Sequence, residues 1–140
     1  MQTRFFYYFV LFVLIGCGKP DPTVQKEKLA GYWEIQQVTM PDGTKKEFGI
    51  STIVDFIEVS GNYGVRTKVS PKFDGSFVNN GSTEKFSLKI EQDSLRMYYE
   101  TPYDSWKETV LVVEDSILKV KNKDHKIYTY KKFRKFNFDN

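Results

Sequence analysis

The sequence predicts an all-β chain, an antiparallel up-and-down meander of about eight strands closing into a β-barrel. Three observations predict it. Apolar and polar residues alternate along short runs, which puts one oily face on each extended segment. Turn residues separate those runs at a spacing of roughly ten to twelve residues. Nothing after Leu29 carries a 3.6-residue period over a helix-length window. With 140 residues in all, the chain has room for one domain.

The amino terminus is read first as an address. Arg4 precedes an uncharged run from Phe5 to Ile15. A membrane-spanning helix needs ~20 apolar residues, so this run is too short to span and fits the apolar segment of a signal peptide. A buried helix of equal length is the competing reading. Gly16, Gly18 and the polar, proline-containing stretch that follows oppose it. Leu14-Ile15-Gly16-Cys17 resembles the lipobox of bacterial lipoproteins. That resemblance implies cleavage before Cys17 and acylation of its thiol. Cys17 is the only cysteine, so no internal disulfide can form. Several acyl chains, at ~0.8 kcal/mol per buried CH₂, would anchor the protein stably. The expectation is a signal peptide over 1–16, a lipidated cysteine and tether over 17–27, a barrel domain over 28–136 and a tail over 137–140. The expected place is the bacterial envelope, at the outer membrane, with the leaflet left open.

Residues 18–27 are polar with two prolines, so most of them read as tether, with one helical turn allowed before Leu29. Strand alternation is clearest at Phe86, Leu88 and Ile90. It recurs at Tyr63, Val65, Thr67 and Val69 against Arg66 and Lys68, at Leu95, Met97 and Tyr99, and at Leu118 and Val120. Turns are read at Pro41-Asp42-Gly43, Gly61-Asn62, Asp74-Gly75, Asn79-Asn80-Gly81, Gln92-Asp93, Glu114-Asp115 and Lys123-Asp124. The expected inward set is Trp33, Ile35, Tyr63, Val65, Leu88, Met97, Tyr99, Trp106, Val110 and Val112. Segments 53–59 and 126–133 stay ambiguous, because both of their faces carry large apolar groups.

Leu29-Ala30-Gly31-Tyr32-Trp33 places a Gly-x-Trp at the start of the first strand. This resembles the lipocalin signature, and the organisation is similar to the lipocalin-like domains of small Bacteroidota lipoproteins. The resemblance implies a lipocalin-like barrel with Trp33 at its floor, packed on a basic side chain from the final strand; Arg134 is the only arginine near that end. Such a barrel holds one small apolar or amphipathic ligand or is filled by side chains, and both readings stand. A ligand would meet Trp33, Ile35, Tyr63, Val65, Leu88, Met97, Tyr99, Trp106 and Val110.

Catalytic and metal chemistry is not expected. His125 is the only histidine and sits in a charged turn, without the converging ligands a metal needs. No activated serine motif and no phosphate-cradling loop occurs. Asp104 and Glu108 lie near Tyr103 and Trp106 and could line a polar spot at a barrel mouth, but solvated turns are the preferred reading. No enzyme and no cofactor is therefore expected. Without residues 1–16 the chain has 20 Lys and Arg against 18 Asp and Glu, which gives no argument for nucleic acid. A monomer is expected. Asp93-Ser94-Leu95 and Asp115-Ser116-Ile117 resemble the O-glycosylation acceptors of Bacteroidota and equally fit ordinary turn chemistry. The carboxyl end interleaves Lys126, Lys131, Lys132, Arg134 and Lys135 with Tyr128, Tyr130, Phe133, Phe136 and Phe138. An outward lysine face that blocks edge pairing is preferred there over a membrane-touching patch.

Overall fold

A strand with one oily face must find a partner surface, and a sheet can supply one by closing on itself. The computed structural model, which describes residues 20–134, does so. One short helix, α1 (Pro22–Lys28), leads into nine strands: β1 (Gly31–Thr39), β2 (Lys45–Glu47), β3 (Val54–Ser60), β4 (Tyr63–Pro71), β5 (Phe77–Glu91), β6 (Ser94–Glu100), β7 (Ser105–Val113), β8 (Ile117–Lys121) and β9 (Ile127–Lys132). Eight form an antiparallel wall in the order β1-β3-β4-β5-β6-β7-β8-β9, and β9 pairs back with β1 to close it. Short β2 is a flap on the far end of β1, opposite Gln37 to Thr39. The expected barrel is present.

The helix takes more of the tether than the sequence led us to expect. Asp21 caps it, its side chain accepting from Thr23 N at 2.9 Å, and Pro22 starts it without needing a donor. Lys26 ties it to the β3–β4 turn through Asn62. Leu29, fully buried, then plugs one end of the barrel. Around it pack Trp33, Ile57, Leu88, Leu95, Met97, Val110, Val113 and Leu118, so the floor half of the interior is filled.

Three local readings change. In β4 the expected parity is reversed. Gly64 pairs with buried Phe86 and Arg66 with Ile57, so these two face inward. Tyr63, 70% exposed, and Val65, opposite Lys85, belong to the outer face. The sequence alternates cleanly, but here a glycine and a charged residue occupy the inner side. In β7 a bulge between Val110 and Val112 shifts the register, so Val113 is buried and Val112 faces out opposite Lys119. Asn79 to Gly81 makes no hairpin turn; it lies within β5, where the β4 pairing slips between Thr83 and Asn79. Ile90 keeps the face of Phe86 and Leu88, opposite buried Leu95, but is exposed at the end of β5.

The two-sided apolar character of residues 53–59 also has a cause. Tyr32 and Phe56, on the outer face of β1 and β3, stack with ring centroids 4.3 Å apart. Phe77, at the start of β5, stacks on Tyr32 at 4.3 Å and meets Phe133 edge-on at 5.8 Å. Since β5 does not neighbour β1 in the wall, the long β4–β5 hairpin must fold over the outside. Outward Val54 and Val69 are accordingly buried.

Gly64 allows the inner packing. A Cβ there would sit 2.1 Å from Phe86 Cζ and 2.8 Å from the Glu58 carbonyl oxygen. Gly64→Ala is expected to cost about 1–3 kcal/mol, as overpacking of a filled core does. Phe86→Leu in the same chain should return part of that in a urea titration. An alanine variant as stable as the parent would contradict the inward placement of this position.

Candidate functional site at the barrel mouth

Above the filled floor, the inner wall turns polar. Arg66 of β4 stands at the centre. Its Nη2 donates to Asp55 Oδ2 at 2.7 Å and to Tyr130 Oη at 2.6 Å, while Nη1 donates to Tyr99 Oη at 3.2 Å. Glu108 Oε2 lies 3.7 Å from Nη1. Lys68 donates to the other oxygen of Asp55 at 3.0 Å. Strand pairing brings these groups together: Asp55 lies opposite both Trp33 and Lys68, and Glu108 lies opposite Met97.

Charges this buried must be compensated to stay ionised. Burial alone would raise Asp55, but the charges and hydrogen bonds of Arg66 and Lys68 outweigh it and hold the carboxyl below its ordinary range. Burial likewise works against the Arg66 cation, and the surrounding tyrosines, Asp55 and Glu108 hold its proton more firmly than usual. Burial pushes Tyr130 up to about 12 and Tyr99 further, with Arg66 opposing both. Glu108 differs. Burial raises its carboxyl, Arg66 opposes, and Glu84 and Asp55 add to the rise. Its Oε2 faces the Arg66 guanidinium, and a hydrogen bond from the Trp106 side chain also favours the charged form.

Two pockets open beside this cluster and share Tyr128. One, of about 330 Å³, is lined by Trp33, Ile35, Val38, Phe48, Tyr128 and Tyr130, with Asp55 and Lys68 at its polar side. The other, of about 240 Å³, is bounded by Asp104, Trp106, Glu108, Asn122, Lys123 and Tyr128. Trp106 is fixed there by stacking on Tyr99, centroids 5.1 Å apart and nearly parallel.

Of the residues expected to line a cavity, Trp33, Ile35 and Trp106 border the mouth pockets. Leu88, Met97, Tyr99 and Val110 face inward, but as buried core around and below the polar cluster. Tyr63 and Val65 do not belong to the site. The preferred reading of Glu108 as a solvated turn residue is overturned, because its pairing with Met97 puts it inside. Asp55 and Arg66 were not singled out; a lone arginine on an alternating strand reads as surface unless its register is known. His125 sits exposed in the β8–β9 turn at φ 60°. Among the described residues no three metal-ligating side chains converge. Ser116 is exposed in the β7–β8 turn and Ser94 opens β6 half-buried. Cys17, the signal peptide expected over 1–16 and the tail expected over 137–140 lie outside the described residues.

The Gly-x-Trp also gains a physical account. Trp33 Nε1 donates to the Leu29 carbonyl at 2.8 Å, and Lys132 Nζ lies 4.5 Å from the indole. The basic partner from the final strand is thus Lys132, not Arg134. Gly31 holds φ at +137°, and a Cβ on it would come within 2.3 Å of Lys132 Nζ. The glycine clears the lysine's path onto the tryptophan.

A family profile for the lipocalin-like domain matches residues 29–120. The chain belongs to the lipocalin-like domain family. Among solved structures it is similar to a lipocalin-like protein from Bacteroides uniformis ATCC 8492, with 14% identity and a TM-score of 0.48 over 76% of this chain and 99% of that one. It is also similar to an uncharacterised protein from Bacteroides eggerthii DSM 20697, with 12% identity and a TM-score of 0.47 over 74% and 98% of the two chains. No curated protein matches the chain at a significant level.

Proposed function

We propose that this protein is a lipid-anchored lipocalin-like binder of the bacterial envelope that takes a small amphipathic molecule into its barrel mouth. The observation that carries this reading is the pocket of about 330 Å³ walled by Trp33, Ile35, Tyr128 and Tyr130. Small-molecule sites start at roughly 300 Å³ and combine apolar walls with a few convergent polar groups, and Asp55 and Lys68 supply the polar side. The acyl chains on Cys17 would hold the mouth near a membrane, where amphipathic molecules concentrate. Binding is favoured over catalysis, because Arg66 is held by both Asp55 and Tyr130, and Asp55 also accepts from Lys68. Native mass spectrometry of the protein extracted from its own envelope should show an added small-molecule mass. Cys17→Ser should abolish labelling by radioactive palmitate and release the protein from the membrane fraction. A Cys17→Ser chain that stays membrane-bound and labelled would end the anchoring part.

A second reading has its own support. The floor half is filled, while Ile50, Phe73 and Tyr103 are 88%, 79% and 97% exposed. Such side chains suit an accessory lipoprotein working through its surface. Bare protein at every stage of native extraction would favour it.

A further inference from the structure

We infer that a basic patch on the outer face of strands β5 to β8 docks on an anionic lipid surface, laying the barrel on its side against the membrane that holds its acyl chains. This rests on the reading that Cys17 is lipidated. Lys89, Arg96, Lys107, Lys119 and Lys121 alternate with inward residues, so all five point outward. Strand register gathers them. Lys89 lies opposite Arg96, Arg96 opposite Thr109 and Thr109 opposite Lys121, while Lys107 and Lys119 stand two residues along from that row. Like charges placed directly opposite, as Lys89 and Arg96 are, cost a sheet stability. Their partners within the chain are neutral: Lys89 lies 4.9 Å from the Tyr98 ring, and Arg96 donates to Thr109 and Gln92. Among the described residues none of the five has an ion-pair partner. Glu91, on the same face, is taken up by the Tyr98 hydroxyl.

The imbalance is local. The patch carries five of the 20 basic residues after residue 16 and one of the 18 acidic ones, Glu91, which leaves the remainder negative at 15 against 17. At its edges charge is matched: Lys85 lies opposite Glu100, Lys131 stands 3.9 Å from Glu34, and Asp115 pairs with Lys28 at 3.7 Å. Asp93 and Glu114 lie beyond it in the floor turns. A surface region of one sign draws a partner of the other. The path to Cys17 favours lipid over other polyanions. Helix α1 packs against β6 and β7, two strands of this face. Cys17 precedes Pro22 by five residues, which extended span at most about 18 Å. Acyl chains in a bilayer therefore bring the patch within reach of the headgroups, and a lipid tail with a basic patch makes a firmer hold than a single chain. The mouth then opens along the bilayer surface rather than away from it.

The test acetylates lysines on the lipidated protein in vesicles of phosphatidylcholine, alone or with about 30% phosphatidylglycerol, and reads each site by mass spectrometry. Lys89, Lys107, Lys119 and Lys121 should be protected about threefold or more in the anionic vesicles, and about 1 M salt should remove the protection. Lys45 and Lys46, exposed on the β2 flap, should label equally in both. The mature chain carrying Cys17→Ser separates the patch from the anchor. It should bind anionic vesicles weakly, and the added triple variant Lys89→Gln, Lys107→Gln, Lys121→Gln should weaken that binding about tenfold or more, since each basic residue near such a surface is worth about fivefold. These side chains face solvent, so an unchanged melting temperature should accompany the loss. Binding by the Cys17→Ser chain with no lipid label on the parent would keep the patch and end the anchor. Equal labelling in both vesicles, or a triple variant that binds as well, would overturn the patch. Protection by soluble heparin but not by anionic vesicles would overturn lipid as its partner.

Discussion

Arg66→Met should destabilise the protein by about 3–5 kcal/mol at pH 7, the cost of removing one partner from a buried ion pair. Asp55 would keep only Lys68, whose side chain is 44% exposed, so its attraction is screened. Tyr99 and Tyr130 would each lose the donor that Arg66 supplies. The penalty should also depend on pH in a stated direction. In the parent, Asp55 has its folded pKa depressed, so its contribution is present above the ordinary carboxylate range and is lost as pH falls through the folded value. In the variant, burial without Arg66 raises Asp55 and Glu108, so their burden grows as pH rises. The gap between the two proteins should therefore widen from about pH 3 to pH 7 in urea titrations. Adding Asp55→Leu and Glu108→Gln to Arg66→Met should recover most of the loss, since the damage lies in the uncompensated charges. A single variant within about 1 kcal/mol of the parent would mean that Arg66 does not sit inside the barrel.

That arginine also marks where reading the sequence stopped short. Strands whose alternation was purely apolar against polar were assigned the correct face: Leu95, Met97 and Tyr99 in β6, Leu118 and Val120 in β8. The rule fails where polarity and direction part company. In β4 the side chains with the apolar look point out, because Phe86 fills the space inside Gly64 and a buried ion pair takes the place of an oily residue at Arg66. No local pattern reveals this; it needs Asp55, eleven positions earlier, brought within hydrogen-bond reach by the β3–β4 hairpin. The β7 bulge is hidden for the same reason, since Val110 to Val113 are all apolar and carry no parity to read. Asp104, Trp106 and Glu108 could be singled out together because they are close in sequence. Their partners Tyr128 and Asn122 could not, being joined to them only by the wall. The floor was legible in part: Gly31 and Trp33 announced it, and the lysine completing it is identified only by the β1–β9 register.

The floor gives the other large effect. Trp33→Ala should cost about 3–5 kcal/mol, the range for deleting a fully buried aromatic side chain. Three contributions meet in that one residue. The indole fills the end of the barrel beside Leu29, its N–H satisfies the Leu29 carbonyl, and its face receives the Lys132 ammonium. They can be separated. Trp33→Phe keeps most of the volume but strands the Leu29 carbonyl and should cost about 1–3 kcal/mol. Lys132→Met keeps the tryptophan and removes only a contact of about 0.5–2 kcal/mol, toward the low end because that ammonium is partly solvated. The expected order of melting temperatures is therefore parent, Lys132→Met, Trp33→Phe, then Trp33→Ala, the last lower by on the order of 15 °C. Because Trp33 also borders the larger mouth pocket, its alanine variant should lose binding of small apolar probes there that Lys132→Met retains. If Lys132→Met proved as damaging as Trp33→Ala, the floor would be held by its cation rather than by the buried ring, and the packing account of the Gly-x-Trp would fall.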